Sequence, residues 1–220
     1  MNMKMKYKGV IFDLDGTLVD TIADIAASMN HALALYGFPQ HPITEYRPKV
    51  GWGLTRLAFQ CLPPEVQNDE NAALLVSAVH HFYAKSPVVH AELFPGILEL
   101  TAELSQKHKL FVLTNKPDSA AQEVVSALFP QGTFLCVRGE LRGKPRKPDP
   151  TCVWDMLVDF NLAPSDVIFA GDSEVDIQTA LAAGSFPLGV SWGYRPRSTL
   201  EEAGARRIID TPEELLDFFR

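Results

Sequence analysis

The chain has few cysteines, a deficit of positive charge and no long apolar run, and each scarcity excludes a class of protein. Cys61, Cys136 and Cys152 are the only cysteines in 220 residues, odd in number and far apart. They form no Cys-x-x-Cys pair and no zinc spacing with histidine, so they read as thiols in a reducing compartment. Lys and Arg total 20 against 27 Asp and Glu, a formal net charge of −7. Nucleic acids and anionic membranes are recognised by clustered cations, so neither partner is expected. The densest basic stretch runs from Arg138 to Lys147, with Arg142, Lys144 and Arg146 between, and it is short. No window approaches the ~20 apolar residues of a membrane span. The apolar run after the lysine-bearing start, Met1 to Lys8, is too brief for a signal-peptide core, which makes the expected location cytoplasmic. Repeats and low-complexity segments are absent. The six histidines make no cluster, and His80-His81 reads as solvated surface.

Apolar residues make up 46% of the chain, enough for one large domain or for a core carrying a smaller insertion. The most informative stretch is Val10-Ile11-Phe12-Asp13-Leu14-Asp15-Gly16-Thr17-Leu18. Three apolar residues run directly into a carboxylate, as in a buried strand of a parallel sheet. A second acid follows two residues later, and Gly16-Thr17 then makes a turn. Two acids this close resist joint ionisation unless a cation lies between them. A hard cation with oxygen ligands, Mg²⁺ first, at the carboxyl end of a strand accounts for the pattern.

From Thr21 to Tyr36 the apolar residues Ile22, Ile25, Ala26, Met29, Leu33 and Tyr36 have helical spacing. Thr21 is the expected cap, with Asp24 in the place of a capping-box glutamate, and Gly37 the stop. Leu54 to Leu62 and Asn71 to Ala84 read as two further helices, and no strand signal interrupts residues 22 to 90. Strand and helix alternate afterwards. Leu93-Phe94-Pro95-Gly96 opens a helix to about His108. Lys109 to Asn115, Thr133 to Val137, Asp166 to Asp172, Phe186 to Ser191 and Arg207 to Ile209 read as strands. Helices are expected at Asp118 to Leu128 with Asp118 capping, Thr151 to Phe160, Val175 to Ala183 and Pro212 to Phe219. Helices between strands imply right-handed crossovers and a doubly wound parallel sheet. The expected fold is therefore α/β, a Rossmann-like core (residues 1–20 plus 92–220) with an inserted all-helical cap (21–91).

In a parallel sheet the carboxyl ends of all strands share one edge, so distant polar residues should converge there. These are Asp13 and Asp15, Thr114 and Asn115, the loop Lys144 to Lys147, and Asp172. Thr114 can meet an anion or cap the next helix, a task open also to Asp118 or Ser119. The proline-rich loop Gly143-Lys144-Pro145-Arg146-Lys147-Pro148-Asp149-Pro150 is stiff and can hold a lysine against a phosphate. Asp172 and Asp176 lie one helical turn apart and can face one point.

These segments resemble, in order and over nearly the whole chain, the four motifs of the haloacid dehalogenase superfamily. Asp13-x-Asp15-Gly16-Thr17-Leu18 is similar to the first, Thr114 to the second, Lys147-Pro148-x-Pro150 to the third and Gly171-Asp172-Ser173-x-x-Asp176 to the fourth. Lys144-Pro145 is a partial echo of the third. The resemblance implies Asp13 as nucleophile on phosphorus and Asp15 as acid toward the leaving oxygen, then base toward water. It gives Thr114 and Lys147 to the transferring phosphoryl group, with Thr17 and Asn115 beside it. It implies Mg²⁺ on the Asp13 carboxylate, the Asp15 carbonyl and Asp172, with Asp176 in the outer shell. The second acid sets the chain apart from dehalogenases and phosphonate-cleaving members, and Asp-Gly-Thr favours phosphatases over sugar phosphomutases.

Val50-Gly51-Trp52-Gly53-Leu54 resembles a cap loop of phosphoglycolate phosphatases. Lys49, Trp52 and Arg56 are the candidates to meet the leaving group, although Trp52 could instead pack within the cap. The expected activity is Mg²⁺-dependent hydrolysis of a small phosphorylated metabolite, phosphoglycolate-like, by a monomer or homodimer. The alternatives are a pyrophosphatase, a nucleotidase, a sugar-phosphate phosphatase or phosphomutase, or a non-catalytic regulatory homologue.

Overall fold

The computed structural model describes residues 7–83 and 88–219. The first strand, β1 (Gly9–Phe12), is buried along its whole length. The chain then turns through Gly16 into a two-residue strand, β2 (Val19–Asp20), and leaves the sheet. Three α-helices follow, α1 (Ile22–Leu35), α2 (Leu54–Cys61) and α3 (Asp69–Tyr83). The expected end of the third helix, Ala84, lies outside the described residues. β3 (Glu92–Leu93) returns antiparallel to β2, Val19 opposite Leu93 and Asp20 opposite Glu92. The insertion thus leaves and re-enters through a narrow ribbon too short to carry any periodicity in the sequence.

The insertion has its own apolar centre. Ile22, Ala26, Met29 and Leu33 of α1 meet Leu57 and Cys61 of α2 and Leu75 and Val79 of α3. Their three- and four-residue spacing puts each set on one helical stripe.

The rest of the chain alternates as α4 (Ile97–Ser105), β4 (Lys109–Pro117), α5 (Asp118–Leu128) and β5 (Cys136–Glu140). It continues through α6 (Thr151–Val158), β6 (Val167–Gly171), α7 (Glu174–Ala183), β7 (Phe186–Val190), α8 (Arg197–Glu202) and β8 (Arg207–Ile209). Six strands form one parallel sheet in the order β5-β4-β1-β6-β7-β8. Successive residues point to opposite faces, so central strands must be apolar throughout. Val10, Phe12, Val112 and Ile168 pack with Leu100, Leu104 and Val124 on one face. Ile11, Phe111, Leu113 and Phe169 pack with Val153, Met156 and Ala180 on the other. The expected doubly wound sheet with a helical insertion is the observed one.

Several local expectations need correction. Thr21 stands at the N-cap of α1 but makes no capping bond; its Oγ1 donates to Asp15 Oδ1 at 2.6 Å. Asp24 does not complete a capping box either. It is buried and accepts the backbone N–H groups of Val89, His90 and Ala91 at 3.0–3.2 Å. Asp118 is the first residue of α5, not its cap, and its Oδ1 accepts the Gly139 N–H at 2.8 Å. The strand expected from Thr133, β5, begins only at Cys136, because Thr133 closes a turn on the Pro130 carbonyl with both its N–H and its hydroxyl. The last helix is a 3₁₀ segment, Pro212–Phe218, and α8 had no foreseen counterpart.

Candidate active site

β1 and β6 are neighbours in the sheet, and both run into acids at their carboxyl ends. Asp13 and Asp172 therefore emerge side by side, with the Asp13 N–H bonded to the Ala170 carbonyl at 2.9 Å. The first turn of α7 adds Asp176. Carboxylate oxygens of Asp13, Asp172 and Asp176 lie within 4.8 Å of one another, and all three residues are buried. The chain path is tight around Asp172, where a Cβ at Gly16 or Gly193 would run into its side chain. Gly16 also has φ +88°, a backbone region that other residues enter only at a cost.

Lys147 reaches this group from the loop before α6, with Nζ 2.8 Å from Asp13 Oδ1 and 2.6 Å from Asp176 Oδ1. Lys144 remains exposed, so of the two lysines considered only Lys147 enters the site. Burial first, and then the Asp176 charge, push Asp13 up to about 7 against the pull of Lys147. Burial, Asp176 and Asp13 drive Asp172 well above the usual carboxylate range. Burial works to lower Lys147, but the charges of Asp13 and Asp176 outweigh it and hold the ammonium above its ordinary value. Three buried acids thus face one buried ammonium, a deficit of two positive charges that a divalent cation matches. Oxygen-only donors suit Mg²⁺. Asp176 is otherwise engaged, since its Oδ2 accepts from the Ser173 N–H at 3.0 Å and Oγ at 2.6 Å.

The Asp15 carboxylate does not join that cluster. It lies between Thr21 Oγ1 and Lys116 Nζ, 2.6 and 3.1 Å from its Oδ1. Thr114 and Asn115 lie within β4, which runs on to Pro117, so Thr114 does not cap α5. Both are buried, and Asn115 Nδ2 donates to the carbonyls of Gly51 and Lys147, each at 2.9 Å. Thr17 Oγ1 points to Asp172 Oδ1 at 3.3 Å.

Sequence reasoning missed Lys116, Glu174 and the turn after β7. In that turn Trp192 Nε1 donates to the Thr17 carbonyl at 3.0 Å, and the Tyr194 N–H to Asp172 Oδ2 at 2.7 Å. Arg195 Nη2 donates to the Val50 carbonyl at 2.6 Å, and its Nε pairs with Glu174 Oε2 at 3.0 Å. The available signal was position, since the Ser191 to Arg195 segment also leaves the carboxyl end of a strand.

A cavity of about 220 Å³ opens between this edge of the sheet and the insertion, reached by Asp13, Asp15, Thr114, Asn115 and Lys116. Its far wall is built from Ile25, Met29, Val50, Leu54, Leu57 and Val79. Lys49, Trp52 and Arg56 are not part of that wall. Trp52 Nε1 instead donates to Glu174 Oε1 at 2.7 Å, Arg56 stacks over the Trp52 ring at 4.4 Å, and Lys49 lies 3.7 Å from Glu45. The periodicity of α1 to α3 reveals an apolar stripe but not which end of it borders the cavity.

A family model of haloacid dehalogenase-like hydrolases matches residues 10–190. The chain belongs to this family of hydrolases. It is 30% identical over 221 residues to a phosphoglycolate phosphatase of Mannheimia succiniciproducens, covering 97% of this chain and 99% of that protein. It is also 30% identical to an N-acetylmuramic acid 6-phosphate phosphatase of Pseudomonas putida, covering 96% and 95% of the two chains. A haloacid dehalogenase-like hydrolase from Streptococcus pneumoniae superposes with a TM-score of 0.88 at 27% identity, over 99% of this chain and 100% of the other. No helix among the described residues is long and apolar enough to cross a membrane.

Proposed function

We propose that this phosphatase, a phosphoric monoester hydrolase by family and relatives, turns over a small phosphorylated metabolite through an aspartyl-phosphate on Asp13. The observation that carries the reading is the Lys147 ammonium 2.8 Å from Asp13, beside an Asp15 held apart from the acid cluster. Asp13 Oδ attacks phosphorus and the bond to the leaving alkoxide breaks. Asp15 gives that oxygen a proton, then takes one from the water that cleaves the acyl-phosphate and releases inorganic phosphate. Thr114 and Asn115 border the phosphoryl position, and Lys147 balances its charge. Asp13, Asp172 and the Asp15 carbonyl would hold Mg²⁺, with Asp176 behind them. Bound there, the cation neutralises charge that would otherwise keep a carboxylate and a phosphate apart.

The named relatives differ widely in leaving group, which supports shared core chemistry with specificity set by the cap. Their names make phosphoglycolate the first ester to test. The experiment is hydrolysis of para-nitrophenyl phosphate with and without Mg²⁺, for the wild type and Asp13→Asn. Turnover should require Mg²⁺ and fall at least about a hundredfold in the variant, because a nucleophile supplies several orders of magnitude. A variant retaining more than about a hundredth of the rate would contradict the covalent route. A wild type inert toward a panel of phosphate monoesters would point to a non-catalytic homologue.

A further inference from the structure

The far wall of the cavity carries more information about the leaving group than the relatives' names do. Among the described residues of the insertion, the cations best placed by sequence to meet a bound carboxylate, Lys49 and Arg56, are turned elsewhere. Arg56 lies on Trp52, Lys49 beside Glu45, and neither lines the cavity. Among the described residues, the basic side chains that reach the lining are Lys116, already held by Asp15 at 3.1 Å, and the exposed His80. An acid, Glu123, lines the cavity as well. The other side chains that the insertion brings to the wall are hydrocarbon, Ile25, Met29, Val50, Leu54, Leu57 and Val79, apart from Ser28, whose hydroxyl is already donated to the Asp24 carbonyl at 2.7 Å. A carboxylate moved against such a surface loses its hydration and gains no partner. A methylene or ring moved there gains roughly fourfold in affinity per buried carbon.

We infer that the cap selects a phosphate monoester whose leaving alcohol is uncharged and turns an apolar face to α1, α2 and α3, rather than a short phosphorylated acid. The inference rests on the phosphatase reading only for the word ester, since the wall would select the same groups in a bound phosphonate.

The test therefore has a binding arm and a turnover arm, both in Mg²⁺ with the whole chain. By titration calorimetry, benzylphosphonate should bind at least about tenfold more tightly than phosphonoacetate, which places a carboxylate where the other has a ring. In turnover, kcat/KM should rise from phosphoglycolate to ethyl phosphate to benzyl phosphate. These three leave as primary alcohols, so the order reports the pocket more than the leaving group's acidity. Leu54, partly exposed in the first turn of α2, is the site for a switch that should not cost the fold. Leu54→Lys should lower the ratio of benzylphosphonate to phosphonoacetate affinity by roughly tenfold or more, and Leu54→Ala should lower benzylphosphonate affinity alone. Phosphonoacetate binding as tightly as benzylphosphonate would overturn the inference, as would phosphoglycolate exceeding ethyl phosphate in kcat/KM. If every ester resisted hydrolysis while the phosphonate order held, the phosphatase reading would fail and the apolar selectivity would stand.

Discussion

Asp15 is held by two donors on its Oδ1, Thr21 Oγ1 at 2.6 Å and Lys116 Nζ at 3.1 Å, and the same ammonium lies 3.4 Å from its Oδ2. A proton donor needs that constancy, because a transfer distance off by an ångström costs orders of magnitude in rate. Its carboxylate also stands outside the cluster of Asp13, Asp172 and Asp176, as a separate role for it requires. Asp15→Asn should keep Mg²⁺ affinity within a fewfold, since the backbone carbonyl is unchanged, and lower kcat by about 10²–10⁴. Metal titration followed by steady-state kinetics checks both halves. Collapse of Mg²⁺ binding would make the Asp15 carboxylate a ligand and the assignment wrong.

At the scale of elements, one contact holds the returning end of the insertion and another ties the insertion to the core. Asp24 on α1 receives three consecutive backbone N–H groups, Val89 to Ala91, just before the return strand β3. Asp24→Ala would leave the buried Ala91 N–H and the part-buried N–H groups of Val89 and His90 without this partner, at roughly 1–3 kcal/mol for each that water cannot reach. The expected loss is on the order of 2–4 kcal/mol in urea unfolding, and a loss below about 0.5 kcal/mol would mean that the return connection is held by something else. The second contact is the Trp52 indole on Glu174, which Arg195 also grips from the turn after β7. Burial works to raise Glu174, but the Trp52 hydrogen bond and the Arg195 charge outweigh it and hold it below its usual range, so it stays ionised and ready to accept. Trp52→Phe keeps the ring under Arg56 and removes only the N–H. Hydrogen bonds to charged groups are worth about 1.5–3 kcal/mol, so KM should rise roughly tenfold or more while kcat changes little. Amide exchange at Gly51 and Gly53 should quicken in parallel, and unchanged exchange would mean that the Trp52–Glu174 bond does not hold this loop against the core.

For the molecule as a whole, every group assigned to phosphoryl chemistry stands on a strand end, a loop or the first turn of α7 in the core, and none on the helices of the insertion. Replacing residues 22 to 90 by a short linker should leave weak, unselective phosphatase activity, because contacts confined to the leaving group discriminate among substrates while the chemistry remains. A folded core that kept the parent's substrate ranking would place selectivity in the sheet. A core that bound Mg²⁺ and turned over nothing would place a catalytic group in the cap. If the exposed apolar surface prevented folding, the Leu54 and Trp52 substitutions carry the same question in the intact chain.

The sheet and its loaded edge were legible in the sequence because each rests on a local rule. A strand buried on both faces must be apolar at every position, as Val10 to Phe12 and Val167 to Ala170 are. A polar residue that ends such a run lies at the strand's carboxyl end, which places Asp13, Thr114 and Asp172 on one edge, and the Lys147 loop joins them because it leaves the same end of the neighbouring strand. Local rules stop where a side chain has several partners within reach. Thr21 and Asp24 have the identities of a capping pair, yet Asp15 and the Val89 to Ala91 amides lie closer to hand once the chain returns. Lys116, Glu174 and Arg195 owe their roles to segments far away in the chain, with Asp15 standing 101 positions from Lys116. Only the tertiary structure could decide those pairings, because hydrogen bonds and ion pairs depend on distances of a few ångströms that sequence separation does not encode. For the same reason the apolar stripe of the cap was plain from its period, while which of its residues border the cavity was decided only when the helices folded over the sheet.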